Sequence, residues 1–388
     1  MIQSLFDLWV DDHISVDEMD IQTCKEIYNM HLPVLVWGTG IHGRLVSEIL
    51  ERNGISISGY VVGKNFFKPN QFCQGHPIHN VHQINTLFNE CCLVLAANEI
   101  SSEFQQILKF KEIKKIFCFE RICTPCEISS SWIKTHLKQL NEVYQILADD
   151  LSQKTFISYL HGKSGVFESR IKESKLKNHI KIEPLWKLME ENQYFNNLYN
   201  INIHDRNILV DVGAYTGDTA EQFINYAPNA KIYAFEPEFD NYKILLNIAK
   251  KYDCIKCYNM GLSDIIGNAN INANGSASQI METTDDKSQK IQITIGDDLL
   301  ENVPVTFIKM DVEGFECRVL NGLSKTIRKH KPFLAICVYH LFDDLITIPN
   351  LIMRLTQPHH YKFFLRNHTP CCAETVFYAC PDEQKFSL

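Results

Sequence analysis

An acid, two glycines and a second acid stand in order in the C-terminal half of the chain: Asp211, Gly213, Gly217 and Glu236. The first three lie in ILVDVGAYTGDT (208–219), whose pattern is an apolar strand, a glycine loop and a helix. Glycines at a strand-to-helix turn allow positive φ and a close approach of backbone to ligand. The loop lacks the Gly-Lys-Ser/Thr of a Walker loop and differs from GxGxxG. Bare N–H groups at a helix start suit a pyrophosphate, whereas a carboxylate at the strand end suits a ligand carrying an ammonium group, such as a methionine moiety. Asp218, with Glu221 three residues on, has the spacing of a capping box, so capping and ligand contact compete for it. Glu236 ends the next strand, in KIYAFEP (231–237), where an acid in a doubly wound sheet accepts hydrogen bonds from ribose hydroxyls. Gly261-Leu262-Ser263-Asp264 is expected to end a third strand, with Asp264 accepting from an adenine amino group or starting a turn.

Such residues need a sheet to hold them. Residues 206–388 carry short apolar strands at 208–212, 232–235, 305–309, 333–338, 363–365 and 376–379. Residues 32–122 also alternate strand and helix, with strands at 33–37, 55–62, 93–97 and 116–119 and a loop rich in Lys, Pro, Asn and Gly after the second. Residues 1–31 read as a helical lead-in. Residues 123–205 read as a helical connector or lid, from the periodicity of Val143, Ile146, Leu147 and Leu151 and the breaks at Ser152 and His161-Gly162. The expected fold class is α/β, with two Rossmann-like layers of unequal size.

The segments DVGAYTGDT, YAFEPE, GLSD, GSAS, FIKMDVEGFE, CVYH and ETVFYA, in this order, resemble the FkbM-type family of S-adenosylmethionine-dependent methyltransferases. The likeness covers nearly all of residues 206–388 and extends upstream through LADDLSQKTF (147–156) and NQYF (192–195). It implies a seven-stranded class I methyltransferase sheet whose last two strands form an antiparallel hairpin. It also implies O-methylation of sugars, polyketides or related hydroxylated metabolites. Carried onto this sequence, it assigns Asp211, Gly213, Ala214, Gly217, Asp218, Glu236, Ser263 and Asp264 to the cofactor. Asp311 and His340 then close the fourth and fifth strands and meet in one crevice.

Methyl transfer is an in-line displacement from a sulfonium, and an alcohol attacks poorly until its proton is removed or its pKa lowered. A base or a metal does either, so Asp311 and His340 are the expected catalytic residues. Whether a metal takes part stays open: none is expected, and Asp311, Glu313 and His340 together offer two carboxylates and an imidazole to a magnesium ion. Ser276 and Ser278, in a Gly/Asn/Ser loop, and His368 and Glu374, near the terminal hairpin, are candidate substrate contacts. Tyr194-Phe195 reads as a packing anchor.

The first layer holds Gly38-Thr39-Gly40-Ile41-His42-Gly43, a GxGxxG spacing between strand and helix. An NAD site also expects an acid about 20 residues on, and the second strand ends Tyr60-Val61-Val62-Gly63 without one. An NAD-dependent sugar oxidoreductase is therefore the runner-up, and a non-catalytic S-adenosylmethionine-binding assembly protein a third reading.

The chain has 388 residues and a net charge of −8, which argues against nucleic acid or an anionic membrane as the main partner. A sugar or glycan precursor is the expected one. No apolar run approaches the ~20 residues of a spanning helix, and the N-terminus lacks the basic start of a signal peptide, so the cytoplasm is the expected location. Fourteen cysteines, including Cys123-Cys126 and Cys254-Cys257, are expected to be reduced thiols.

Overall fold

The computed structural model describes residues 16–96, 103–119, 128, 130–164, 183–190, 193–195, 207–272, 279–281 and 288–382. Cys123, Cys126, Ser276 and Ser278 lie outside them, as do parts of the expected lead-in and connector. The chain divides into two compact units: Met1–Asn141, Gln153–Glu191 and Asn367–Glu374 form the first, and Glu142–Ser152, Asn192–Arg366 and Thr375–Leu388 the second. The described cysteines form no disulfide with one another, and no described helix is long and apolar enough to cross a membrane.

The first unit holds β1 (Val34–Trp37), β2 (Gly59–Val62), β3 (Phe72–Cys73), β4 (His76–Asn80), β5 (Cys91–Leu95) and β6 (Ile113–Cys118). Their order is β3-β4-β2-β1-β5-β6, parallel except for the β3–β4 pair. β1, β2 and β5 are buried along their whole length, as a parallel sheet covered on both faces requires. The β3–β4 hairpin corrects the expected loop. Gln74 and Gly75 connect its strands, both at positive φ (47° and 83°), the geometry of a tight primed turn. A glutamine gives no sign of that conformation in sequence. β2 is also shorter than expected, beginning at Gly59 rather than Ile55.

The second unit begins with β7 (Ile208–Val212), β8 (Lys231–Phe235) and β9 (Ile255–Tyr258). A small sheet follows, built from β10 (Gly261–Ser263), β11 (Gly267–Asn272), β12 (Gln279–Met281) and β13 (Ser288–Ile295). The main sheet resumes with β14 (Phe307–Met310), β15 (Phe333–Cys337), β16 (Tyr361–Asn367) and β17 (Thr375–Pro381). Its seven strands run β16-β17-β15-β14-β7-β8-β9, with β17 antiparallel to β15. The chain starts in the middle, builds outward to β9, then returns to the other side of β7, so the switch point lies between β7 and β14. The third strand of this sheet is β9, not the stretch ending at Asp264; β10 pairs with β13 in the separate sheet. Asn259 ends β9, its amide donating to the carbonyls of Glu236 (2.9 Å) and Pro237 (3.2 Å) in place of a ladder.

Aromatic rings fill the layer beneath the site. Phe195 lies 5.3 Å from Phe223 and 5.8 Å from Phe307, which lies 4.9 Å from Phe333 (ring centroids), so the expected anchor role of Phe195 is what the packing shows. Of the upstream motif 147–156, residues 147–152 belong to the same unit, at the sheet edge, and 153–156 to the first. Leu147 bridges Phe363, Ala148 N–H donates to the Phe363 carbonyl (2.8 Å), and Asp149 takes the buried Arg366 of β16 in a fork (2.6 and 3.1 Å). Of the expected connector, the described residues 130–141, 153–164 and 183–190 belong to the first unit and 142–152 and 193–195 to the second.

Candidate active site

The glycine loop after β7 is shaped by what it cannot hold. Gly213 adopts φ 75°, and a Cβ there would stand 1.8 Å from the Asp311 carbonyl oxygen. The loops after β7 and β14 therefore touch at the switch point, and only a glycine lets them. Gly217 (φ 93°) caps the helix Asp218–Tyr226 without any side-chain hydrogen bond. This corrects the capping-box expectation: Asp218 is the first helical residue, exposed, where its charge favours the helix N-terminus but caps nothing. Ala214 is buried under the loop.

Asp211 and Lys309 are direct register partners across β7 and β14, with Lys309 Nζ 3.2 Å from Asp211 Oδ1. Both side chains are enclosed, at 0% and 5% exposure. Burial pushes Asp211 up to about 6 against the pull of Lys309. Burial would lower Lys309, but Asp211 and Asp311 outweigh it and hold the ammonium charged. The same ammonium donates to the Gly213 carbonyl (2.6 Å) and lies 5.7 Å from the Tyr194 ring centroid. Asp211 was expected to face a ligand's ammonium; the one it meets is that of Lys309.

Glu236 follows β8 and is buried. Its two oxygens accept from the backbone N–H of Tyr215 and of Glu238, each at 2.8 Å, so the second acid of the motif ties directly to the glycine loop. Burial pushes it up to about 7, with those two N–H groups pulling the other way. Tyr215 holds φ 46° to make this contact, a left-handed conformation that non-glycine residues keep only where the surroundings impose it. Glu238 in turn caps the helix Phe239–Ala249, accepting from Asp240 (3.1 Å) and Asn241 (2.7 Å). Ser263 is buried and donates to the exposed Asp264 (3.2 Å), whose same oxygen takes Arg318 Nε at 2.9 Å. Burial raises Asp264, but Arg318, with the hydrogen bond from Ser263, outweighs it and holds the carboxyl below its usual range.

Asp311 and His340 do converge, as expected. His340 Nε2 lies 3.2 Å from Asp311 Oδ1 and 3.6 Å from Glu313 Oε2, and Nδ1 lies 2.8 Å from Glu316 Oε1. Burial would lower the imidazole, but Glu316 and Asp311 outweigh it and hold it well above its ordinary range. His340, 2% exposed, is thus held between carboxylates on both ring nitrogens. Asp311, 24% exposed, is the accessible member of the pair. Burial and the neighbouring Glu316 push Asp344 up to about 7. Lys309, Glu238, Glu316 and Asp344 were not singled out from sequence; the FIKMDVEGFE run holds Lys309 and Glu316 but does not say that they face Asp211 and His340. His368 and Glu374 belong to the first unit, where His368 Nδ1 lies 2.8 Å from the Glu190 carbonyl and its N–H donates to that of Glu374 (3.2 Å).

In the first unit, Gly38 (φ 115°) and Gly43 pack so closely that a Cβ on Gly43 would be 1.9 Å from the Gly38 carbonyl oxygen. The helix Ile41–Arg52 starts at Gly40 without a side-chain cap. β2 runs into Gly63-Lys64, with no acid at its end.

A family model described as a methyltransferase FkbM domain matches residues 211–369. A search of the curated proteins finds no match. Among solved structures, methyltransferase FkbM from Methylobacillus flagellatus KT superposes with a TM-score of 0.55 at 18% identity, over 95% of this chain and 100% of that one. That likeness shows the fold. Precorrin-6y C5,15-methyltransferase from Geobacter metallireducens GS-15 gives 0.29 at 12% identity, over 46% and 81% of the two chains. An rRNA methylase from Streptococcus thermophilus gives 0.30 at 14%, over 46% and 87%. The acids and glycines described above therefore sit in a domain whose class is known: residues 211–369 of this chain are an FkbM-type methyltransferase domain.

Proposed function

We propose that this chain transfers a methyl group from S-adenosylmethionine to a hydroxyl oxygen of a sugar or glycan precursor. The observation that carries the reading is the contact of Gly213 with the Asp311 carbonyl, which puts the donor loop and an acid-lined loop in one crevice at the switch point. The residues present fit the donor. A Cβ at Gly213 or Gly217 would run into the Asp311 carbonyl or the Leu245 side chain, so glycines alone give the loop this course. Each Glu236 oxygen accepts one backbone N–H and keeps lone-pair capacity for a ribose hydroxyl. Asp211 serves through Lys309, which fixes the Gly213 carbonyl.

The donor, when bound, supplies an electrophilic methyl group on a positively charged sulfur. Asp311 and Glu313, both partly exposed beside His340, suit the vicinal hydroxyls of a polyol, which donate hydrogen bonds to carboxylates. Asp311 takes the hydroxyl proton as the oxygen attacks and passes it to solvent. Burial raises its carboxyl, but the paired His340 outweighs this and pulls it below the usual range. It is therefore a weak base, and orientation supplies most of the acceleration. The test is incubation with S-adenosylmethionine and a panel of nucleotide sugars and oligosaccharides, read as S-adenosylhomocysteine release and a methyl gain on the acceptor. Absence of calorimetric binding by either sulfur compound overturns the reading.

A further inference from the structure

Four carboxylates surround one imidazole at the ends of β14 and β15. The ligand atoms of Asp311, Glu313 and His340 lie within 4.8 Å of one another, and so do those of Glu316, His340 and Asp344. Glu316 is 1% exposed; its Oε1 faces His340 Nδ1 (2.8 Å) and accepts from Val312 N–H (3.1 Å). Its other oxygen, Oε2, is buried without a hydrogen-bond partner. A buried carboxylate oxygen left unmatched is costly unless positive charge answers it.

The two ring nitrogens are treated differently. Nδ1 is held by an enclosed carboxylate, whereas Nε2 points to two carboxylates that reach solvent. A histidine that binds a metal through one nitrogen is commonly oriented in this way by a carboxylate on the other.

We infer that Asp311, Glu313 and His340 Nε2 form a divalent-cation site, with Glu316 orienting the imidazole from behind. Two carboxylates and an imidazole suit a first-row transition ion such as Mn2+ better than Mg2+, which prefers oxygen ligands and retained water. Three protein ligands would not complete the shell of such an ion, and a polyol hydroxyl taken up as a further ligand would become more acidic. The ion belongs to the protein alone and needs neither methyl donor nor acceptor, so this site and the proposed reaction can fail separately.

The test uses the full chain stripped with EDTA and titrated with MnCl2, without donor. Loss of the free Mn2+ electron paramagnetic resonance signal counts bound ions, and thermal unfolding reads the linked stabilisation. One ion per chain and a rise in melting temperature are expected. Glu313→Gln and Asp311→Asn should each weaken binding at least tenfold, and Glu316→Gln by about 10–100-fold. Glu313 is partly exposed, so its variant carries the test if Glu316→Gln does not fold. MgCl2 should displace Mn2+ only in large excess. Absence of binding at millimolar Mn2+, affinity unchanged in Glu313→Gln and Asp311→Asn, or Mg2+ competing at equal concentration would each overturn the site.

Discussion

Lys309 Nζ stands 3.2 Å from the Asp211 carboxylate and donates at 2.6 Å to the Gly213 carbonyl, so one buried ammonium joins the first acid of the motif to its first glycine. Removing one member of a buried pair leaves the other charge uncompensated. Lys309→Met should therefore destabilise the protein by about 3–5 kcal/mol in denaturant unfolding, and Asp211→Asn in the same background should restore part of it. A double-mutant cycle showing no coupling would mean the pair does not hold the loop.

Gly213→Ala should abolish donor binding. The added methyl would stand 1.8 Å from the Asp311 carbonyl oxygen at a φ of 75°, so the loop must move. Gly40→Ala in the first unit is the control: nothing lies within 4 Å of a Cβ there, and φ is −69°. It should change stability by less than about 1 kcal/mol. Calorimetry with S-adenosylhomocysteine and thermal unfolding read both.

Stability should fall as pH rises through the range set by Glu236. The native state keeps its proton to about 7, whereas the unfolded chain releases it near 4.5. Between those values the native state binds more protons, so this contribution is full below 4.5 and lost by about 7. Its slope is at most ~1.4 kcal/mol per pH unit. Glu236→Gln should flatten that part of the stability profile, measured by urea unfolding at several pH values.

Asp311→Asn should cut methyl transfer by on the order of a hundredfold while leaving donor affinity within a few-fold. Near-normal turnover would remove Asp311 from the chemistry.

Arg366→Met should loosen the motif at 147–152 from the sheet edge, because the fork to Asp149 and the contact with Ser152 vanish together. Asp149 is over a third exposed, so the expected cost is modest, about 1–3 kcal/mol. Hydrogen exchange at the Ala148 amide, which bonds the Phe363 carbonyl, reports the loosening directly.

The local grammar of this chain was legible without coordinates. Apolar runs marked the parallel strands, glycines marked the strand-to-helix turns of both units, and Asp211, Glu236, Asp311 and His340 stood at strand ends where a doubly wound sheet gathers its ligands. These properties depend on residue type and near spacing, which sequence carries. What surrounds each acid depends on which strands become neighbours, and that is a property of topology. β7 and β14 lie nearly a hundred residues apart in the chain, yet their pairing sets Lys309 against Asp211 and turns an expected ligand contact into a buried ion pair. The loops after β14 and β15 likewise bring Glu316 to His340, and with it the enclosed carboxylate that holds the far nitrogen of the imidazole. Burial and long-range pairing decide charge state, and neither is written in any local stretch of residues.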